Sequence, residues 1–310
     1  MLVAVHISNG VLAWPWVAAG IVGAIALVSI GAWRLQPEEV PRIALLTAAF
    51  YIGSSMHVPV GVTSVHLVLN GLVGVILGWR SALAIFVGLL FQAVLLTHGG
   101  YLELGVNTCV ISPPALLAGA AFRALNRVRW LKHPATRALI VALAAAVWLV
   151  GAVAAIALLI LWLRADATAA PQIDETFVAV LCHPMTLGSA AVLGAIAAWL
   201  ERRLEHAPEF PLGVLLGVLS VMLTVALNSS VLVAGGAYFG ATPPLVLAIV
   251  YLPVAAIEGI ILGFMVGFLA KVKPELLGLA RAPQSATQPP ADTSCLAYDG
   301  GKTSSSATSH

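Results

Sequence analysis

The sequence has 310 residues, of which 60% are hydrophobic and only 9% charged, and its mean hydropathy is +1.01. That leaves too little polar surface to cover a water-soluble globule, so a soluble domain is excluded and a chain that crosses a bilayer many times is indicated. The net charge of +2 gives no support for nucleic-acid binding, and Cys109, Cys182 and Cys295 are too dispersed for a disulfide framework or a zinc knuckle.

A hydrocarbon core about 30 Å thick takes about 20 helical residues per crossing. Cut at its charged, proline-rich and glycine-rich breaks, the chain yields nine apolar segments. The first runs from about Val11 to Trp33. The stretch from Ile43 to Leu77 is interrupted by Met56-His57-Val58-Pro59-Val60-Gly61, where proline and glycine disfavour an unbroken helix. Two short spans joined by a buried, irregular turn are expected there. The remaining spans run from Ala82 to Leu96, Val106 to Phe122, Ala138 to Leu163, Phe177 to Leu200, Leu212 to Val233 and Pro244 to Ala270.

Basic residues concentrate in cytoplasmic loops. With nine spans and the N-terminus outside, 14 of the 15 Lys and Arg residues fall inside, and Arg164 is the exception. Counting Ile43 to Leu77 as one pass would turn the Arg123 to Arg137 cluster outward, so two passes are favoured. The fold class expected is an all-α transmembrane bundle of about seven to nine spans, N-terminus outside and C-terminus cytoplasmic. Residues 11–277 form its membrane domain. Residues 278–310, rich in Pro, Ser, Thr, Gln and Gly, read as a disordered cytoplasmic tail. No basic segment followed by a cleavage site marks a removable signal peptide at the N-terminus.

This topology sorts the histidines. His6, His57, His66 and His98 fall at the outer side, whereas His133 and His206 lie with the arginines. Imidazole suits nickel, cobalt, copper and zinc, so an outward divalent-metal site is the sharp reading. A lone histidine that only hydrogen-bonds is the plain one, and it is kept for His98 and His183. His57 and His66 bracket the Pro- and Gly-containing turn, and irregular backbone at membrane depth persists only where it is buried in protein or lines a cavity. Thr63, Ser64, Asn70 and Asn107 can supply hydrogen bonds that orient a ligand. Glu258 sits near the middle of the last span, where an acid is unfavourable by about 2.5 to 3.5 kcal/mol. It is either part of a metal path or a buried hydrogen-bonding partner. Gly74 with Gly78, Gly213 with Gly217, and Gly259, Gly263 and Gly267 mark smooth helix faces for close packing, within the chain or against a separate membrane subunit.

The run Met56 to Leu72, the later Gly99-Gly100 with Leu104 to Thr108, and Tyr251 to Gly259 followed by Lys271 to Leu277 resemble the CbiM/NikM family. These are the substrate-capture membrane subunits of energy-coupling factor transporters for cobalt and nickel, and the similarity runs from about His6 to Leu277. The resemblance implies a near-planar set of four nitrogens: a terminal amine, the amide and imidazole of a histidine at the second position, and a second imidazole. The two histidines correspond to His6 and His66, with His57 as a further candidate, and residues 1–10 become the metal-binding segment. Ser8-Asn9 stands where the family has Pro-Asp. A terminal-amine chelate needs His6 as second residue, so translation is expected to start at position 5; an intact mass lacking Met1 to Ala4 is the corresponding observation. With the longer start, amides before His6 or His57 replace the amine.

The function implied is capture of Co(II) or Ni(II) as transported substrate, with no prosthetic group. No GxxxxGK[ST] phosphate loop occurs, so ATP hydrolysis belongs to partners. By the resemblance these are a transmembrane coupling subunit, two cytoplasmic ATPases and a small auxiliary membrane protein, in a prokaryotic cytoplasmic membrane. An intramembrane protease is disfavoured by the lack of HExxH. The alternative is a secondary transporter or channel that works without ATPases and uses Glu258 as a relay.

Overall fold

Apolar runs punctuated by proline and glycine fold as nine α-helices among the residues that the computed structural model describes, which are 6–56, 58–60, 63–96, 99–128, 133–164, 179–203, 207–235 and 242–279. His57, His98 and His206, the residues ahead of His6, and all but the first two residues of the expected tail over 278–310 lie outside them. The helices are α1 (Trp14–Ala32), α2 (Val40–Ser55), α3 (Asn70–Leu77), α4 (Ser81–Leu96), α5 (Leu104–Leu125), α6 (Pro134–Arg164), α7 (Pro184–Arg203), α8 (Phe210–Ala234) and α9 (Thr242–Val272). Proline stands in the first turn of α1, α2 and α8 and opens α6 and α7, positions where its missing N–H leaves no helical bond unmade. His133 and His183 precede α6 and α7, and their Nδ1 atoms accept from Ala135 N–H at 3.3 Å and Met185 N–H at 3.2 Å. Both act as N-caps.

Among the described residues seven stretches are long and apolar enough to cross a membrane: Trp14–Ala32, Asn70–Leu96, Leu104–Leu125, Pro134–Ala154, Pro184–Arg202, Phe210–Ala234 and Leu247–Val272. Asn70–Leu96 contains both α3 and α4, and packing shows that the chain reverses between them. Down the length of α3, Asn70 lies at Ile111, Gly74 at Ala115 and Gly78 at Arg123, so α3 runs parallel to α5. Gly20 lies at Val106 and Gly23 at Cys109, so α1 is parallel to α5 too. In contrast, Leu83 in the first turn of α4 lies at Gly31 near the end of α1, while Gly100 beyond α4 bonds Ile7 ahead of α1. The turn at Gly78–Arg80 uses a Gly78 φ of +59°, a region that favours glycine.

The head of α2 shares that end of the bundle. Glu39, just ahead of it, pairs with Arg80 at 2.6 Å, and Arg80 also donates to the carbonyls of Gly31, Trp33 and Arg34. Phe50 then meets Gly88 and Ser54 meets Gln92, so α2 climbs beside α4. The region from Ile43 to Leu77 therefore reverses direction as two short antiparallel helices, α2 and α3, neither of which alone is long enough to count as a crossing. Its connection is more regular than the expected irregular turn: strands β1 (Val58–Val60) and β2 (Thr63–Val65) pair antiparallel with Val58 opposite Val65 and Val60 opposite Thr63. Among the described residues the all-α bundle thus carries one small hairpin.

Arg137 at the head of α6 pairs with Glu201 at the end of α7, making these two an antiparallel hairpin. Gly213 against Gly263 and Gly217 against Gly259 make α8 and α9 antiparallel, with backbones in direct contact. All eight residues of α3 are buried, mainly against α5, α8, α4 and α2. Among lipid tails such burial gains little from exclusion of water; close van der Waals packing and hydrogen bonds hold the helices together.

Candidate functional site

Residues 7–10 lie against the head of α5 and the loop before it. Asn107 accepts from Ile7 N–H at 2.8 Å and donates its amide to Ile7 O at 3.0 Å. One turn earlier Glu103 accepts from Gly10 N–H at 2.8 Å. Gly100 N–H donates to Ile7 O at 3.1 Å and Leu102 N–H to Asn9 Oδ1 at 3.1 Å. A carboxamide that matches both polar groups of one residue works as a short strand partner, and fixes the neighbouring His6 backbone with it.

His66 reaches the same place from the other side. It follows β2, and its Nδ1 lies 3.0 Å from Leu67 O. A carbonyl only accepts, so Nδ1 carries the proton in that bond and Nε2 keeps the lone pair, the tautomer a metal ligand needs. The His6 and His66 rings are stacked, with centroids 4.8 Å apart and planes 9° apart, and each residue is 3% exposed. Tyr251 of α9, fully buried, stands edge-on to His66 at 6.2 Å. Two nitrogens on one ion, at bonds of about 2 Å, are at most about 4 Å apart; the two imidazoles are close neighbours, and because near-parallel stacked rings aim their in-plane lone pairs side by side, sharing one ion requires a ring to turn.

Behind His66, both oxygens of Glu258 accept backbone N–H groups, from Val68 and, at 2.9 Å, from Leu69. Leu69 adopts φ +51°, left-handed backbone that disfavours a leucine by about 1–2 kcal/mol, and the two bonds to Glu258 hold it there. Asn70, at the start of α3, donates to Thr224 Oγ1 at 2.7 Å and to Ile111 O at 3.3 Å, while its Oδ1 takes Gly71 N–H at 2.8 Å. Asn70 therefore pins α3 to α5 and α8.

Of the residues singled out from the sequence, His6 and His66 are brought together, Asn107 holds the backbone after His6, and Asn70 and Glu258 hold the backbone after His66. Ser64 lies on β2, where only the backbone is described. His57 lies outside the described residues. Glu103 was not anticipated; its signal was an acid one helical turn before Asn107 at the head of an apolar segment. Among the described residues no group of three or more His, Cys, Asp or Glu side chains converges as a metal site.

The family model of the cobalt uptake substrate-specific transmembrane region, CbiM, matches residues 6–202 and 185–276. A putative metal transport protein of Haemophilus influenzae is 46% identical over 118 residues, 38% of this chain and 57% of that protein. The cobalt transport protein CbiM of Sorangium cellulosum is 34% identical over 111 residues, 33% of this chain and 49% of that protein. The chain thus spans about half the length of the curated relatives it matches. A crystal structure of a truncated transition metal transporter aligns with a TM-score of 0.44 and 18% identity over 86% of this chain and 99% of that one.

Proposed function

The chain belongs to the CbiM family, and on that premise we propose that this multi-pass membrane protein captures Co(II) or Ni(II) between His6 and His66. The observation that carries the reading is the buried, stacked pair of imidazoles, 4.8 Å apart, delivered by two segments that are each tied down by hydrogen bonds. Backbone nitrogens around His6 complete the donor set, and a nitrogen-rich set suits Ni(II) and Co(II) better than magnesium or calcium.

In this reading the bound ion is cargo. The chain holds it on the outer side of a prokaryotic cytoplasmic membrane and releases it inward when partner subunits hydrolyse ATP. The partners are a transmembrane coupling subunit, two cytoplasmic ATPases and a small auxiliary membrane protein. The chain itself is no enzyme. Support against an ATPase-independent carrier that relays ions through Glu258 comes from the engagement of both its oxygens by backbone N–H groups.

Uptake of labelled nickel and cobalt by cells tests the proposal. High-affinity uptake is expected to vanish with H6A, with H66A, or with loss of the ATPases. Uptake that persists without the ATPases and follows the proton gradient would instead support the carrier.

A further inference from the structure

We propose that Glu258 is a positioning residue for His66, and that the glycine seam between α8 and α9 sets where Glu258 stands. The inference rests on the reading of His66 as a metal ligand. It adds that the ligand's place is fixed from α9, far along the chain, rather than by the hairpin that carries it.

Three observations join to support this. First, the two oxygens of Glu258 take the N–H groups of consecutive residues, Val68 and Leu69, and Leu67 between Val68 and His66 takes the His66 Nδ1 proton on its carbonyl. A short chain of bonds runs from the carboxyl to the ring. Second, the backbone beyond cannot yield. Asn70 is bonded to Thr224 and Ile111, and a Cβ on Gly74 would fall 1.9 Å from Ala115 O, so α3 is seated hard on α5. The freedom left to the His66 segment is its displacement toward or away from α9, and Glu258 governs that. Third, Gly259, next to Glu258, touches Gly217 backbone to backbone: a Cβ on Gly217 would lie 2.7 Å from Gly259 Cα and 3.0 Å from Glu258 O. No side chain spaces the two helices there. The depth at which α9 sits, and with it the reach of Glu258, follows from two missing methyl groups.

The test titrates the purified full chain with Ni(II) and Co(II), recording calorimetric affinity and ligand-field absorption for wild type, E258Q, G217A and H66A. Metal-free thermal unfolding runs beside it. E258Q keeps one acceptor and turns its amide N–H groups toward a backbone donor, so bound-metal bands are expected to shift and affinity to fall about 10- to 100-fold, the range for loss of an orienting partner. G217A, which touches neither ligand, is expected to shift the same bands. Wild-type bands and affinity in both E258Q and G217A, with only metal-free unfolding changed, overturn the proposal and leave Glu258 a structural residue. If E258Q does not fold, G217A decides by the same criterion. Wild-type bands in H66A overturn the ligand assignment itself, and this proposal with it.

Discussion

Asn107 shows how one side chain fixes a site without touching its centre. Both ends of its carboxamide bond Ile7, so the backbone that delivers His6 is docked by one residue of α5. N107A removes both bonds and leaves the buried Ile7 N–H unpaired, so metal-free stability is expected to fall by about 1–3 kcal/mol and nickel affinity by about 10- to 100-fold. N107D keeps the acceptor for Ile7 N–H, loses the donor to Ile7 O, and is expected to fall between the two. Calorimetric titration ranks the three proteins. His66, Asn70 and Glu258 stood out in the sequence because polar groups at membrane depth are unfavourable unless something engages them, whereas His6 was singled out by its place on the outer side and by the family resemblance. What each engages was not legible. Asn70 and Asn107 hold backbone, and the proton on His66 Nδ1 is placed by Leu67 O. The left-handed backbone at Leu69 had no sequence signal, since neither glycine nor asparagine occupies that position.

At the scale of elements, glycines decide how near the helices come. Gly74 accepts no side chain, because its Cβ would meet Ala115 O at 1.9 Å, whereas Gly188 on α7 has nothing within 4 Å. G74A is therefore expected to lower the unfolding temperature steeply or prevent folding. G188A is expected to be neutral or to gain up to about 1 kcal/mol, as alanine outranks glycine in a helix. Thermal unfolding in detergent separates them. The four-residue spacing of glycines foretold smooth faces but not their partners: Gly213 and Gly217 found Gly263 and Gly259, Gly74 found α5, and Gly78 became the turn that reverses the chain. Most spans were legible from apolar length, and the reversal of the chain between Ile43 and Leu77 was expected from charge parity. The β1–β2 hairpin was not, because two strands of three residues leave too short a pattern to distinguish from an irregular turn.

Among the described residues, Arg80 and Arg137 tie helix ends through ion pairs, and His6 and His66 meet at the end of α1 away from Arg80. Arg80 binds the carbonyls that close α1 and the carboxylate that opens α2, so three helices meet on one guanidinium. R80A is expected to reduce stability by on the order of 3 kcal/mol, as hydrogen bonds to a charged group are among the stronger ones. The Arg80 bonds hold the Glu39 carboxyl below its ordinary value of 4.5. A depressed acid stabilises the fold above that value, and the contribution fades as pH falls through the lower one. Wild type is thus expected to lose stability below about pH 4.5 more steeply than R80A, modestly because the pair is partly exposed. At the end away from Arg80 the central claim is that His6 and His66 hold one ion together. Calorimetric titration of nickel and cobalt into wild type, H6A, H66A and the double variant tests it most directly. Ligands of one ion are coupled, so each single variant should abolish tight binding and the double variant should be scarcely weaker than either. Tight binding retained in both single variants would contradict the account.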